Sequence, residues 1–236
     1  MNLSEQDLQV LTNFSEINQN IYFNKGKTFT TLSTMKNILA EYQSETEIKE
    51  EFAIYDLKEF LNFHDLFENP NIKLNNNKII LKDKRFTSEY YTADKSVIVY
   101  PTVPITISDW DYKFCIRRKD IQDFNLARKR VKNLPDLSIQ NNEGYFNFKI
   151  TDKKNISSNC ISFNIDDGDK PTKTNRQFIF NIRCENFDKI LVDDYDAYVS
   201  PKKIMKLTNK SNNLKYWIAL EPDSEFDSNN GVNSNA

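Results

Sequence analysis

The sequence predicts an α+β protein with two similar domains, each made of two helices packed on antiparallel sheets. Three observations lead to this prediction: four helix-like segments, short β-prone runs after each of them, and a proline-containing stretch near the middle of the chain. The helices begin near residues 4, 56, 119 and 185, at spacings of 52, 63 and 66 residues. This regular order indicates a fourfold repeat of one helix and one small sheet.

The four helices are predicted from apolar residues at helical spacing and from their polar starts. They span residues 4–18, 56–66, 119–132 and 185–191. Ser4 followed by Asp7 has the form of a capping box, which satisfies backbone N–H groups at a helix start. The apolar stripe of the third helix consists of Ile121, Phe124, Ala127, Val131 and Leu134.

Short β-prone runs between polar turns predict the strands. Examples are Ile79–Leu81, Phe86–Tyr91, Phe146–Ile150, Ile161–Ile165, Phe178–Ile182, Tyr195–Val199 and Tyr216–Leu220. Pro101 and Pro104 interrupt this pattern, and proline cannot donate to a central strand ladder. We therefore expect a first domain over residues 1–100, a linker over 101–108 and a second domain over 109–226. The acidic and Asn/Ser-rich residues 227–236 are expected to be disordered.

The composition excludes several classes of protein. No apolar stretch approaches the ~20 residues of a membrane span, so we expect a soluble, cytoplasmic protein without a membrane partner. The chain has only four glycines, and their positions allow neither a P-loop nor a dinucleotide-binding loop. Cys115, Cys160 and Cys184 lie far apart, so we expect reduced, buried thiols rather than a disulfide framework.

Charge is distributed unevenly, although the formal net charge is only −2. Of the 32 Lys and Arg residues, 11 lie before Asp109 and 21 lie from Asp109 onward. The 34 Asp and Glu residues divide into 15 and 19 at the same point. The second half is therefore the more basic one, which favours an anion-facing surface there.

Five segments resemble the sliding clamps of T-even-type bacteriophages, which are DNA polymerase processivity factors. The segments are Leu3–Asn20 (LSEQDLQVLTNFSEINQN), Leu32–Glu41 (LSTMKNILAE), Phe52–Leu61 (FAIYDLKEFL), Ala93–Pro101 (ADKSVIVYP) and Tyr216–Asp223 (YWIALEPD). Their order and spacing are similar to the family along nearly the whole chain. Residues 109–186 resemble it mainly in the order of helices and strands.

The resemblance implies the DNA clamp fold, with three subunits closed head to tail into a ring of six domains. Helices would line a central hole around double-stranded DNA, and sheets would form the outer wall. The implied partners are the replicative DNA polymerase, an ATP-driven clamp loader and two further copies of the chain, in the cytoplasm of an infected bacterium. The family is not enzymatic and implies no cofactor and no metal, and its T-even members also activate late transcription.

A ring that slides needs positive charge facing phosphates rather than base-specific contacts, because phosphate contacts do not depend on sequence. The third helix fits best, with Lys129 and Arg130 opposite its apolar stripe. The candidate residues in and around it are Arg117, Arg118, Lys119, Arg128, Lys129, Arg130 and Lys132. An ordinary solvated helix face is the alternative interpretation.

The other three helices are weaker candidates for a DNA-facing surface. The predicted solvent face of the first helix is formed by Glu5, Gln9, Asn13 and Glu16 and carries no lysine. Lys58 on the second helix and Lys189 on the fourth could add charge or be plain surface residues. DNA contacts are therefore expected mainly from the second domain.

The resemblance also implies two protein-binding surfaces. A partner peptide would dock near the linker and the last strand, at Tyr100, Pro101, Val103, Trp217, Ile218 and Leu220, unless these residues only pack the core. At the subunit joint, Phe86–Tyr91 of one subunit would lie beside Cys160–Ile165 of the next. The candidate joint residues are Phe86, Tyr90, Tyr91, Cys160, Ile161 and Phe163, with ordinary strand packing as the alternative.

Three other classes of protein fit the sequence less well than a clamp. An enzyme is disfavoured because the single histidine, His64, has no nucleophile motif near it, and the acidic runs at 166–169 and 193–194 fall in turns without EF-hand spacing. A structural protein of a virion could also be strand-rich and oligomeric, but would not require basic helices. A single-strand binder would interleave aromatic and basic residues on one sheet, and the tyrosines do not alternate with lysines in this way along the chain.

Overall fold

The computed structural model describes residues 1–166, 172–209 and 211–227. Four α-helices lie where the sequence predicts them: α1 (Glu5–Ile17), α2 (Leu57–His64), α3 (Arg118–Arg130) and α4 (Cys184–Phe187). Helix α3 ends two residues before the predicted end, and α4 is shorter than predicted. Residues 167–169 of the turn expected at 166–169, and residues 228–236 of the tail expected to be disordered from residue 227, lie outside the described residues.

Fifteen strands surround these helices in the described part of the chain. They are β1 (Ile21–Phe23), β2 (Gly26–Leu32), β3 (Ile38–Ile48), β4 (Phe52–Ile54), β5 (Asn71–Asn75), β6 (Lys78–Lys82), β7 (Thr87–Tyr91), β8 (Tyr112–Ile116), β9 (Asp136–Asn142), β10 (Tyr145–Thr151), β11 (Cys160–Asn164), β12 (Ile179–Arg183), β13 (Tyr195–Ser200), β14 (Ile204–Asn209) and β15 (Leu214–Ala219). The strand pairs β1–β4, β2–β3, β5–β6, β6–β7, β8–β13, β9–β10, β9–β12, β10–β11 and β13–β14 are antiparallel. Within the described ranges no helix has both the length and the apolar character needed to cross a membrane.

The chain divides into two compact units. The first comprises Met1–Thr106 and Lys210–Tyr216, and the second comprises Ile107–Asn209 and Trp217–Ala236. Each unit contains two of the four helices and its own strands. The last strand, β15, contributes its first residues to one unit and its final residues to the other.

In the first unit, α1 and α2 pack on antiparallel sheets. The strand orders are β1-β4, β5-β6-β7 and β2-β3-β15. Helix α1 has the predicted capping box, since the Ser4 hydroxyl accepts from the Asp7 backbone N–H and the Asp7 carboxylate accepts from the Ser4 N–H. Its apolar residues Val10, Leu11 and Phe14 are fully buried, so packing of this face against the core holds the helix in place.

Asp7 also ties α1 to β3. Its buried carboxylate accepts from the Ser44 hydroxyl at 2.5 Å and from the Thr46 hydroxyl at 2.7 Å. Burial opposes ionisation, but these hydrogen bonds and those from Ser4 outweigh burial and lower the pKa of Asp7 below its ordinary value. The carboxylate is therefore stabilised in its charged form by the hydrogen-bond donors around it.

In the second unit, α3 and α4 pack on a sheet of order β11-β10-β9-β12, and a further group of strands has the order β15-β14-β13-β8. Phe124 of α3 is fully buried, with its ring centroid 4.9 Å from that of Phe187 and 6.5 Å from that of Phe148. The turn between β9 and β10 is Glu143-Gly144, both with positive φ, as a two-residue hairpin requires. Phe124 of α3, Phe148 of β10 and Phe187 of α4 thus form one aromatic cluster.

Three sequence-based expectations about burial are wrong in detail. Val131 was placed on the buried stripe of the third helix, but it follows the last helical residue and is exposed. Cys160 was expected to be buried, yet it is exposed because β11 is at the edge of its sheet. Asn13 was placed on the solvent face of the first helix, but it is nearly buried, because its side-chain oxygen accepts from the Tyr216 hydroxyl at 2.7 Å.

Candidate nucleic-acid interface and partner surfaces

The basic residues at the start of α3 are paired with acidic residues from elsewhere in the second unit. The Arg118 guanidinium lies 2.9 Å from the Asp193 carboxylate, and the Arg118 backbone N–H donates to Asp194 at 2.7 Å. Lys119 pairs with Asp123 one turn further along the helix. The acidic residues at 193–194 therefore bind the start of α3, and the charges of Arg118 and Lys119 are partly offset.

Arg128 is also held within the protein. Its guanidinium contacts the Asp188 carboxylate at 3.1 Å and donates to the Leu134 carbonyl at 2.9 Å. These contacts fasten the end of α3 to the segment after α4. Arg128 therefore stabilises the packing of α3, and its charge is partly offset by Asp188.

Three cations near the end of α3 are placed differently. Lys129, Arg130 and Lys132 are exposed and form no ion pair with any residue that the structure describes. Lys129 and Lys132 line a shallow groove of about 430 Å³ together with Asn125, Arg128 and Asp188. Asn125 was not among the predicted residues, although it lies three and four residues before Arg128 and Lys129 and so shares their helix face. This surface can contact phosphates without reading bases.

The helices of the first unit offer little positive charge. Lys58 of α2 lies 3.6 Å from Glu16 of α1, and both side chains are largely exposed. Glu5 and Gln9 are exposed on α1, so this face is neutral to acidic. In the second unit Lys189 is only partly exposed. Among the four helices, the exposed cations without an ion pair in the described residues are therefore concentrated at the end of α3.

Asp120 is a buried carboxylate at the start of α3 and was not among the predicted site residues. Its oxygens accept from the backbone N–H groups of Arg117 at 2.7 Å and Asp166 at 3.3 Å. Burial raises its pKa to about 6, and the carboxylates of Asp166 and Asp123 add to this effect against the two hydrogen bonds. Asp120 links the start of α3 to the end of β11.

This raised pKa predicts a stability change between about pH 4 and 6. In that range the unfolded chain loses the Asp120 proton before the folded chain does, so the free energy of unfolding falls as the pH rises. We expect the native protein to lose about 2–3 kcal/mol relative to an Asp120→Asn variant between pH 4 and 7. Urea unfolding of both proteins across this range measures the difference, and parallel pH profiles would contradict the assignment.

The residues predicted for a partner-peptide pocket fall into two groups. In the first unit, Tyr100 and Pro101 are half-buried and Val103 is 73% exposed. In the second unit, Ile218 is fully buried, and Leu220 and Trp217 are nearly so. Ile218 and Leu220 therefore pack the core, which was the alternative interpretation, and Val103 is the residue of the set most available to a partner.

The residues predicted for a subunit joint lie on two edge strands. Strand β7 is at one edge of the β5-β6-β7 sheet, and β11 is at one edge of the β11-β10-β9-β12 sheet. Tyr91 is 62% exposed and Phe86 is also exposed, whereas Tyr90 is buried and its hydroxyl donates to the Asp56 carbonyl at 2.9 Å. Cys160 is exposed, and Ile161 and Phe163 are partly exposed. Tyr90 is consequently a core residue of β7.

Comparison with known proteins gives consistent matches. The family DNA polymerase processivity factor matches residues 5–100. The chain is 28% identical to the sliding clamp of Escherichia phage RB69 over 235 residues, covering 96% of this chain and 100% of that protein. It is 26% identical to the sliding clamp of Enterobacteria phage T4 over 232 residues, with 96% and 100% covered.

The fold is also found among solved structures of more distant proteins. PCNA from Thermococcus kodakaraensis aligns with a TM-score of 0.67 at 12% sequence identity, covering 94% of this chain and 99% of that one. This likeness confirms the predicted clamp fold of helices on antiparallel sheets. The family match over residues 5–100 and the full-length similarity to the phage proteins support the resemblance of this chain to the T4-type phage sliding clamps.

Proposed function

We propose that this chain is a subunit of a ring that encircles double-stranded DNA and tethers the phage replicative polymerase to it. The observation that carries this proposal is the similarity, over 96% of the chain, to proteins named sliding clamps. The chain would act as a scaffold rather than a catalyst. It would work inside the infected bacterium, where an ATP-driven loader places it on DNA.

The charge distribution supports sliding rather than fixed binding. Lys129, Arg130 and Lys132 form a small exposed cationic surface. Sequence-specific binding would instead require side chains that contact base edges in the DNA grooves. Phosphate contacts are individually weak and independent of sequence. A few such contacts per subunit can centre the duplex while the ring holds it in place.

The proposed ring is a homotrimer joined through strand edges. In this proposal β7 of one subunit pairs with β11 of the next, because both strands have an unpaired side within the described chain. The exposed aromatic side chains of Phe86 and Tyr91 would then be covered by the neighbouring copy. Repetition of one head-to-tail contact closes a ring when the rotation per subunit allows it.

A topological experiment tests encirclement. The labelled protein is loaded by its cognate loader onto circular DNA, and retention is followed by gel filtration before and after a single cut linearises the circle. We expect the protein to stay on the circle and to leave within minutes of the cut, because a ring can slide off an end. Equal retention on circular and linear DNA would contradict encirclement.

Tyr91 allows a test of the subunit joint. We expect Tyr91→Glu to lower the trimer fraction at least about tenfold, since it places three buried charges in a closed ring. The matched control is Tyr55→Glu, because Tyr55 is similarly exposed at 55% but lies outside the proposed joint. Light scattering over a dilution series measures the mass, and a trimer unaffected by Tyr91→Glu would place the joint elsewhere.

The resemblance also implies a partner peptide of the polymerase and a role in late transcription. Val103, Tyr100 and Trp217 remain the proposed contacts for such a peptide, with Val103 the most exposed. The proposed transcriptional role rests on the family likeness. Both roles need a surface that stays accessible while the ring surrounds DNA.

A further inference from the structure

The outer edge of β12 is covered by the segment that follows β15. In the second unit, β12 is the last strand of the order β11-β10-β9-β12, so one side of its backbone has no neighbouring strand in that sheet. Residues 221–227, here called the strap, run antiparallel along this side. The Ile179 N–H donates to the Glu225 carbonyl at 3.0 Å, and the Glu225 N–H donates to the Ile179 carbonyl at 2.7 Å. The strap thus satisfies hydrogen-bonding groups that an edge strand leaves open.

A buried polar network fastens the middle of the strap. The Ser224 hydroxyl accepts from the Asn181 backbone N–H at 2.9 Å, and the Asn181 side-chain amide donates to the Asp223 carbonyl at 3.0 Å. The Asn181 side-chain oxygen accepts from the Ser138 hydroxyl of β9 at 2.6 Å. Asn181, Ser138 and Ser224 are all buried. Because its polar groups have partners, this network gives the strap one defined position on β12.

The end of the strap packs on the aromatic core of the second unit. The ring centroid of Phe226 lies 5.3 Å from that of Phe180 and 6.2 Å from that of Tyr112. The Asp227 backbone N–H donates to the Tyr112 hydroxyl at 3.1 Å. The Asp227 carboxylate lies 3.9 Å from the Arg176 guanidinium. The strap is therefore held along its length and is part of the folded unit.

The strap is itself a poor template for another strand. Pro222 has no backbone N–H to donate, and the side chains of Asp223 and Glu225 are exposed carboxylates. Proline and exposed charges are features by which natural sheets prevent pairing at their edges. The strand that it covers has no such protection, because four successive residues of β12 are uncharged: Ile179, Phe180, Asn181 and Ile182. The strap thus replaces an edge that can pair by one that cannot.

The same arrangement is found in the other sheet of the proposed joint. In the proposed ring, β7 and β11 pair between subunits, and the strap covers the edge opposite β11. The edge opposite β7 is β5, where the Met1 nitrogen donates to the Ile72 carbonyl at 2.6 Å and the Met1 carbonyl accepts from the Ile72 N–H at 3.0 Å. Within the described residues each of these two sheets therefore has one open edge. A further open edge would allow one ring to join another.

We propose that the strap masks a second self-association site, the edge of β12, and so confines pairing between copies to β7 and β11. The partner that the bare edge fits is β12 of a second copy of this chain. Two such edges can pair antiparallel about a two-fold axis, because the same residues then meet from both sides. The uncharged residues of β12 offer no repulsion to this contact. The inference rests on the proposed function in that the ring supplies the pairing that the strap leaves open.

A pair of variants at Glu225 tests the mask in the full chain. Glu225→Pro and Glu225→Ala remove the same exposed carboxylate, but only proline removes the N–H that donates to Ile179. We expect the Ile179 amide to exchange with solvent at least about tenfold faster in the proline variant, because the strap detaches. Light scattering should then give at least about twice the mass of the alanine variant at the same concentration. Faster exchange without any gain in mass overturns the proposal.

A proline at Ile179 locates the new contact. Both backbone groups of Ile179 bind the strap, so they point away from β9, and Ile179→Pro keeps the pairing of β12 with β9. Added to Glu225→Pro, this change leaves the bare edge without the donor that another copy would use. The mass should therefore return to that of the alanine variant. A gain in mass that Ile179→Pro does not reverse would place the association elsewhere, or assign it to unfolding, and would overturn the proposal.

Two shortened chains settle the case in which the proline variant keeps its strap. A chain that ends at Leu220 has no strap, and a chain that ends at Asp227 keeps it whole. We expect only the shorter chain to gain mass, and Ile179→Pro to reverse the gain. Equal masses of the two chains overturn the proposal. Retention of the native protein on circular DNA is measured in parallel. Normal retention without association of the strap variants removes this inference alone, whereas failed retention removes the proposed function.

Discussion

Reversing the charge of Lys129 and Arg130 to Glu is expected to reduce the rate of loading onto DNA about tenfold or more at physiological salt. Both side chains are exposed and lack an ion pair within the described residues, so they are the cations best able to meet phosphates. The double variant replaces two attractive charges per subunit by two repulsive ones. Because binding to phosphates weakens steeply with salt, the dependence of loading on salt should also become shallower.

The measurement is loading of labelled protein onto primed circular DNA by the cognate loader, at several salt concentrations. Lys25→Glu with Lys27→Glu is the matched control, since both lysines are exposed on the first unit away from every proposed contact. The oligomeric mass of each variant is checked in parallel. Normal loading of the Lys129/Arg130 variant, or an equal loss in the control, would remove α3 from the DNA-facing role.

Truncating Phe124 to Ala is expected to lower the free energy of unfolding by about 3–5 kcal/mol. The ring is fully buried and touches the aromatic rings of Phe187 and Phe148, so its removal leaves a cavity that close-packed neighbours cannot fill. This cluster joins α3 to α4 and β10. Loss of the ring should therefore also loosen the helix that presents Lys129 and Arg130.

Urea unfolding followed by circular dichroism measures this change. Leu126→Ala is the control in the same helix, because Leu126 is 54% exposed and its loss should cost under about 0.5 kcal/mol. A comparable loss in both variants would mean that the helix is stabilised by propensity and not by packing. A loss below about 1 kcal/mol for Phe124→Ala would show that the cluster collapses to fill the space.

The sequence predicted the helices well because their signals are local. The capping residues Ser4 and Asp7 and the apolar spacing of Val10, Leu11 and Phe14 lie within a few turns of one another. Two of the errors in predicted burial concern residues at a helix end and on a sheet edge. Val131 continues the apolar period of α3, but it is the cap residue after the last helical residue and its backbone is extended. Cys160 has the β-propensity of a buried strand but lies on an edge strand.

The candidate site could be predicted only in part. By sequence, Arg118 and Arg128 look as available as Lys129 and Arg130. The structure pairs the first two with Asp193 and Asp188, which lie 75 and 60 residues further along the chain. No local pattern reveals such partners. The same applies to Asn13, whose partner Tyr216 is 203 residues away.

Local sequence patterns thus predicted the α+β class, the number and position of the helices, the resemblance to phage sliding clamps and the basic character of α3. These follow from short-range periodicity, capping and composition, which any segment carries with it. Long-range packing, by contrast, determines which cations of α3 form ion pairs, which tyrosine of β7 faces the core, and that Lys113, Tyr198, Lys206 and Trp217 lie together on one sheet. Those features depend on strand register and on contacts between residues far apart in the chain, which form only when the core packs.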